Sequence, residues 1–275
     1  MPKAIRVEPG SRVNLARIDT RENGGLTKGE GKARLGALAA ELNELQDLLY
    51  AADECSVLVV LQGMDTSGKD GTIKSVFRAV DPLGVHTWSF KVPTEIELAH
   101  DFLWRVHRRT PERGKIAIFN RSHYEDVLVV RVKELAPVDV WRKRYDHINA
   151  FERLLTDSNT IVLKFFLHIS KEEQEERLLA RETEVDKAWK LSVGDWEERE
   201  WWDAYQEAYE DALAKCSTAN APWYIVPADR KWYRDLVIAQ TIVETMKPRT
   251  KAWMTSLAEL GEVRKAELTA MRSGV

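Results

Sequence analysis

The chemistry in this sequence begins at Gly63-Met64-Asp65-Thr66-Ser67-Gly68-Lys69-Asp70-Gly71-Thr72. A glycine, four residues and then Gly-Lys is the spacing at which a backbone curls so that successive N–H groups point at one anion. Gly63, Gly68 and Gly71 give the curl its freedom, and Lys69 adds a point charge for bridging phosphate oxygens. Thr66, Ser67 and Thr72 add hydroxyl donors. Asp70 stands where such a loop usually carries the Ser or Thr that binds magnesium. A carboxylate inside the loop repels an anion unless a cation lies between, so Asp65 is read as a metal ligand. The bland alternatives are a Gly-rich turn with a solvated lysine and, for Asp65, an Asx turn.

A second cluster, Asn120-Arg121-Ser122-His123-Tyr124-Glu125-Asp126, follows the apolar run Ile116-Ala117-Ile118-Phe119. A phosphate-loop kinase would end that strand on an acidic residue that holds metal-bound water. Asn120 occupies the position, with Glu125 and Asp126 one helical turn later. Glu125 is therefore read as the partner of Asp65 around a metal, and Arg121 as a contact to the transferring phosphoryl oxygens. Asn120 and Asp126 are read as lining the phosphate or nucleotide site. His123 reads as a packing residue. The competing account of the two acids is that they favour a helix N-terminus.

A third group runs from Arg177 and Arg181, four apart on one helix face, through Asp186-Lys187-Ala188-Trp189-Lys190 to Asp195-Trp196. A basic face with Arg181, Lys187 and Lys190 beside tryptophans is what a mobile phosphoryl-transfer lid needs. The surrounding glutamates allow a plain surface helix of ion pairs instead. Arg105, Arg108 and Arg109 fall at a helix C-terminus, where the dipole suffices to explain them.

These residues need a scaffold, and the periodicity provides one. Val57 to Leu61, Val85 to Phe90, Lys115 to Phe119, Thr160 to Ile169 and Trp223 to Val226 read as strands. Between and around them, helical patterns cover 33–53, 72–79, 94–109, 138–155, 177–209 and the region after the last strand. Thr94-Glu95-Ile96-Glu97 and Ser170-Lys171-Glu172-Glu173 read as capping boxes. The alternation predicts an α/β fold of three layers around a five-stranded parallel sheet, with ligands at the carboxyl ends of the strands. Residues 1–30, punctuated by Gly10, Gly24, Gly25 and Gly29, read as an arm with little structure of its own. Residues 31–275 read as one domain with a helical lid at about 177–205.

Composition narrows the function. The net charge of -3 excludes a strong bulk field for polyanions, so phosphate-rich ligands need a local cluster rather than a nucleic-acid coat. No apolar stretch is long enough for a membrane span, and the start, Met-Pro-Lys-Ala-Ile-Arg, lacks a signal-peptide core. Cys55 and Cys216 are not spaced as a metal or redox pair and read as buried thiols of a cytoplasmic protein.

The phosphate loop, the Asn120-to-Asp126 segment and Asp186-to-Lys190 together resemble the family 2 polyphosphate kinases. So does the stretch Ala221-Pro222-Trp223-Tyr224-Ile225-Val226-Pro227-Ala228-Asp229-Arg230-Lys231-Trp232-Tyr233. The resemblance covers about residues 30 to 250. It implies a thymidylate-kinase-like P-loop fold, inorganic polyphosphate as phosphoryl donor or acceptor, and transfer to nucleotides of adenine, with guanine as a further base. It also implies magnesium, with manganese as a substitute, and a homo-oligomer, dimer or tetramer. By motif, Asp65 is implied as a metal ligand, Lys69 and Arg121 as phosphate contacts and Arg181 as a lid contact. The His-Tyr-Glu-Asp form is similar to the class that phosphorylates both AMP and ADP. Two other readings stay open: an ATP-dependent nucleoside or nucleotide kinase, and a module that binds nucleotide or polyphosphate without transferring it.

Overall fold

The computed structural model describes residues 3–184 and 193–273. Its six strands are β1 (Ile5–Arg6), β2 (Ser56–Gln62), β3 (Val85–Ser89), β4 (Ile116–Asn120), β5 (Thr160–His168) and β6 (Trp223–Pro227), ordered β1-β6-β5-β2-β4-β3. The five strands expected from the sequence pair in parallel, and the sheet has one more: β1 runs antiparallel to β6, Ile5 opposite Ile225. Two residues are too few to show an alternating pattern, which is why no periodicity announced it. β2 and β5 are buried at every position, as the apolar runs require of central parallel strands.

The chain leaves β2 toward β3 and β4 on one side and returns to β5 and β6 on the other. The carboxyl end of β2 is thus the switch point of the sheet, where a crevice opens. Helices surround the sheet. One group is α1 (Lys28–Ala52), α2 (Lys69–Val76), α10 (Lys231–Met246) and α11 (Thr250–Arg272), with α10 packed on α1 and α2. A second group is α5 (Val129–Val132), α6 (Val138–Asp157) and α9 (Trp202–Cys216), and α6 packs on β5.

Helix ends follow local chemistry. α1 starts earlier than its apolar spacing suggests because Thr27 and Glu30 form a reciprocal capping box. The helix expected over 94–109 divides into α3 (Glu95–Leu98) and α4 (Trp104–His107). Its Thr94 box forms, but Asp101 Oδ1 accepts from the N–H groups of Leu103 and Trp104, restarting the chain as an Asx turn does. The remaining helices are α7 (Lys171–Thr183), capped by Ser170 accepting from Glu173 N, and α8 (Val193–Glu198). Ahead of α1, Leu15 and Val7 enter the core, and Leu15 O accepts a hydrogen bond from His168 Nε2 at 3.0 Å.

Candidate functional site

β2 delivers the chain to the phosphate loop, where backbone conformation decides which residues fit. Gly68 sits at φ 99° and a Cβ there would lie 1.8 Å from Arg234 Nη1. Gly63 is at φ 154° and its Cβ would lie 2.7 Å from Leu167 O. Thr66 adopts φ 63° and Arg121 φ 60°, left-handed conformations that cost a non-glycine residue about 1–3 kcal/mol and survive only where the surroundings enforce them. α2 begins at Lys69, so its free N–H groups face the mouth of the loop.

Lys69 Nζ donates to Gly63 O at 2.7 Å and Met64 O at 3.3 Å. Burial and the charge of Arg121 pull its pKa down to about 8, against the opposing pull of Asp65, Glu125 and Asp70. Arg121 Nη2 pairs with Asp65 Oδ1 at 2.7 Å, and Nη1 lies 3.6 Å from Glu125 Oε2. Burial opposes the charge of Arg121, yet Glu125 and Asp65 outweigh it and raise the guanidinium's pKa. Gln62 Nε2 donates to Glu125 Oε1 at 3.1 Å and to Ser122 Oγ at 3.2 Å. Asn120 Nδ2 donates to Asp70 Oδ1 at 2.6 Å, which ties the residue after Lys69 to the end of β4.

The expected residues therefore divide. Asp65, Thr66, Gly68, Lys69, Asp70, Gly71, Asn120, Arg121 and Arg181 line a cavity of about 650 Å³, together with Phe90, Lys91, Lys231 and Arg234. Gly63, Asp65, Arg121 and Glu125 line an adjoining cavity of about 240 Å³ with Gln174, Asp195, Glu198, Tyr205 and Tyr209. Asp65 and Arg121 belong to both. Ser67 and Thr72 are fully buried, and Thr72 Oγ1 donates to Asp235 Oδ1 at 3.0 Å, into the fold.

Asp126 is not brought to either cavity: it pairs with Arg144 on α6 at 2.8 Å, because the 3-10 turn His123–Asp126 points successive side chains in different directions. His123 packs, as expected, fully buried against Glu152. Lys187 and Lys190 lie outside the described residues.

Arg177 and Arg181 share a helix and both border the larger cavity, but their partners differ. Arg177 is buried and donates to the backbone carbonyls of Thr66, Ser67, Ala228 and Asp229, so it stitches α7 to the phosphate loop and to the end of β6. Arg181 reaches the larger cavity and pairs with Asp195 of α8, whose pKa burial and the charge of Asp65 raise. Arg105 does not lean on a helix dipole: it is buried, donates to Lys91 O at 2.8 Å, and holds the 90–92 rim of the larger cavity. Arg234 and Lys231 were missed by the pattern reading. Arg234 Nη1 donates to Ser67 O at 3.1 Å and pairs with Asp235 at 2.7 Å. The available signal was the basic Arg230-Lys231 pair and Arg234 opening the helix after the last strand, where ligands bind.

The donor set suits a hard divalent cation. Asp65 and Glu125 present oxygen only, and Thr66 Oγ1, in the same loop, is buried without a hydrogen-bond partner. Among the described residues no three His, Cys, Asp or Glu side chains form a cage. A metal here would thus complete its shell with water and phosphate oxygens, which is how magnesium is commonly held.

A parallel α/β sheet with a phosphate loop at its switch point, flanked by carboxylates and guanidinium groups, defines the P-loop class. The family description Polyphosphate kinase 2 (PPK2) matches residues 25–253, and the chain belongs to that family. It is 54% identical over 248 residues, 89% of this chain and 92% of the relative, to the AMP/ADP-polyphosphate phosphotransferase of Meiothermus ruber. It is 42% identical to the ADP-polyphosphate phosphotransferase of Rhodopseudomonas palustris, over 98% of this chain and 96% of that one. The crystal structure of Polyphosphate Kinase 2 from Arthrobacter aurescens TC1 superposes with a TM-score of 0.84 at 41% identity, over 90% and 92% of the two chains.

Proposed function

We propose that this chain is a polyphosphate-dependent nucleotide kinase that moves a phosphoryl group between inorganic polyphosphate and AMP or ADP. The observation that carries the reading is Arg121, seated between Asp65 and Glu125 on the wall shared by two cavities. That wall is where two phosphate-bearing substrates would meet. The PPK2 membership and the names of the relatives support the substrates.

In the forward direction the terminal phosphate oxygen of AMP or ADP attacks the end phosphorus of polyphosphate in line. The new P–O bond forms as the bond to the shortened polyphosphate breaks, and that chain leaves with the electron pair. No covalent enzyme intermediate is needed, because positioning and charge neutralisation lower the barrier. Lys69, Arg121 and Arg181 bind and orient phosphate oxygens, and the loop N–H groups from Gly68 to Gly71 cradle them, those of Ser67 and Thr72 being bonded to Met64 O and Gly68 O. Asp65 and Glu125 would hold a magnesium ion, which would supply charge neutralisation to the phosphates; manganese would fit the same oxygen set. The reaction runs in both directions, since the phosphoanhydride broken and the one formed are alike.

Glu125 in place of a neutral residue supports acceptance of AMP as well as ADP, and guanine nucleotides fall within the same proposal. We further propose a homo-oligomer working in the cytoplasm, to which the buried free Cys55 and Cys216 are suited. Nucleic acids and membranes are not part of this reading, and no helix among the described residues is long and apolar enough to cross a membrane.

The test is incubation with magnesium, AMP and long-chain polyphosphate without ATP, followed by nucleotide chromatography. ADP and then ATP should appear. Conversion of ADP alone would remove AMP from the reading. Phosphorylation by ATP with polyphosphate inert would replace it with an ordinary kinase. Asp65→Asn and Lys69→Ala should each abolish turnover in a folded protein.

A further inference from the structure

The turn that carries Arg121 and Glu125 is gripped from behind by a buried ionic network that touches neither cavity. Lys164, at the centre of β5, and Glu152, on α6, are both fully buried and pair at 2.5 Å. Lys164 Nζ also donates to Tyr124 Oη at 2.9 Å and to Cys216 O, at the end of α9, at 2.6 Å. Its three protons are thereby used. Glu152 Oε1 accepts from Tyr124 Oη at 2.8 Å and stands 3.2 Å from His123 Nε2. Two consecutive residues of the turn thus meet one carboxylate. On either side of that pair, Arg121 (one residue beyond Ser122) and Glu125 bond instead to Asp65 and Gln62.

A charge pair so deeply buried is a poor source of stability, since desolvation offsets much of the attraction and apolar replacements of similar volume do as well or better. Its geometry fits a different task. Arg121 is held at φ 60°, a conformation that relaxes unless the next residues are fixed. Val127 is buried and Leu128 lines the smaller cavity, but apolar packing does not specify the rotation of the turn, whereas a directional network does. The same ammonium reaches the end of α9, whose Tyr205 and Tyr209 line the smaller cavity, so turn and cavity wall share one fixed point.

We propose that Glu152, together with Lys164, is a positioning residue for phosphoryl transfer: it clamps His123 and Tyr124 so that Arg121 stays seated between Asp65 and Glu125 on the wall the two cavities share. The inference rests on the reading of that site given above.

The discriminating variants are Tyr124→Phe and the double variant Tyr124→Phe/His123→Phe, which release the turn while leaving Lys164 and Glu152 paired and the fold intact. The expected result is a fall in kcat of about tenfold to a hundredfold, the order that a displacement of ~1 Å costs. KM for polyphosphate and nucleotide should stay within about twofold, measured well below the melting temperature. Glu152→Gln should lose at least as much kcat. Wild-type kcat in a folded double variant overturns the clamp, as does a loss confined to KM or to thermal stability. Arg121→Ala separates the two levels. If it is inactive while the double variant is not impaired, only the clamp fails; if it turns over normally, the site reading fails and the clamp with it.

Discussion

Lys69 links the phosphate loop to a measurable proton. Its ordinary pKa of 10.5 is pulled to about 8 by burial and by Arg121. The ammonium is thus charged below about pH 8 and loses its charge above it. A polyanion brought against Lys69 restores the proton's affinity, so polyphosphate binding near pH 8 to 9 should take up protons and weaken as pH rises. Calorimetry in buffers of different ionisation enthalpy reads the uptake, and Lys69→Met should abolish it; unchanged uptake in that variant would assign the proton elsewhere. The sign for stability follows. The folded state binds this proton less tightly than the unfolded chain, so the stability contribution of Lys69 rises with pH between about 8 and 10.5.

Adjacent acids should separate as sharply. Glu125→Gln should reduce turnover by at least ~100-fold, whereas Asp126→Asn should leave kcat within about twofold, since Asp126 faces Arg144 rather than the cavities. A tenfold loss in Asp126→Asn would return that residue to the site. The sequence placed both acids one turn after a strand end, but spacing within a 3-10 turn does not say which of two neighbours looks into the crevice.

At the scale of elements, the packing of α10 on the phosphate loop explains why Gly68 is glycine. Its positive φ disfavours any side chain by about 1–3 kcal/mol. An added methyl also overlaps Arg234, which is held to Ser67 O and Asp235. Gly68→Ala should therefore destabilise the fold more than its backbone strain alone, and Arg234→Ala should relieve the excess. Denaturant midpoints of the two single variants and the double variant measure that coupling; strict additivity would remove Arg234 as the obstacle. The glycine was legible as part of a spacing. Its neighbour was not, because α10 lies about 165 residues downstream in the chain. The same holds for α7: two arginines four apart read as one basic face and both border the cavity, yet Arg177 is engaged with the carbonyls of the loop and Arg181 with Asp195.

The molecule as a whole depends on the segment ahead of α1. β1 extends the sheet, Val7 and Leu15 bury against it, and Thr20 Oγ1 donates to Asp229 Oδ2 at 2.8 Å, while Asp229 also accepts from Ser170 at the start of α7. Removing residues 3–20 exposes two core side chains worth about 1.5–3 kcal/mol each. The melting temperature should fall by roughly 10 °C, given ~2–4 °C per kcal/mol for a domain near this size. No shift would mean that the segment is an appendage.

What the sequence by itself determined was whatever is local or repeats. The apolar runs of β2 and β5, the glycine spacing of the phosphate loop, the Thr94 cap and the presence of Arg121 and Glu125 after β4 are each written in a few adjacent residues. From those, the parallel α/β sheet and the crevice at its switch point follow. Tertiary structure decided which side chains meet. Arg121 lies between Asp65 and Glu125, Arg234 closes on Gly68, and Lys164 reaches both Glu152 and Tyr124 only because separate strands and helices pack together. A two-residue strand such as β1 belongs to the same class, since its pairing partner lies more than 200 residues away. Contacts of that kind depend on distance in space, and no pattern of neighbours along the chain encodes it.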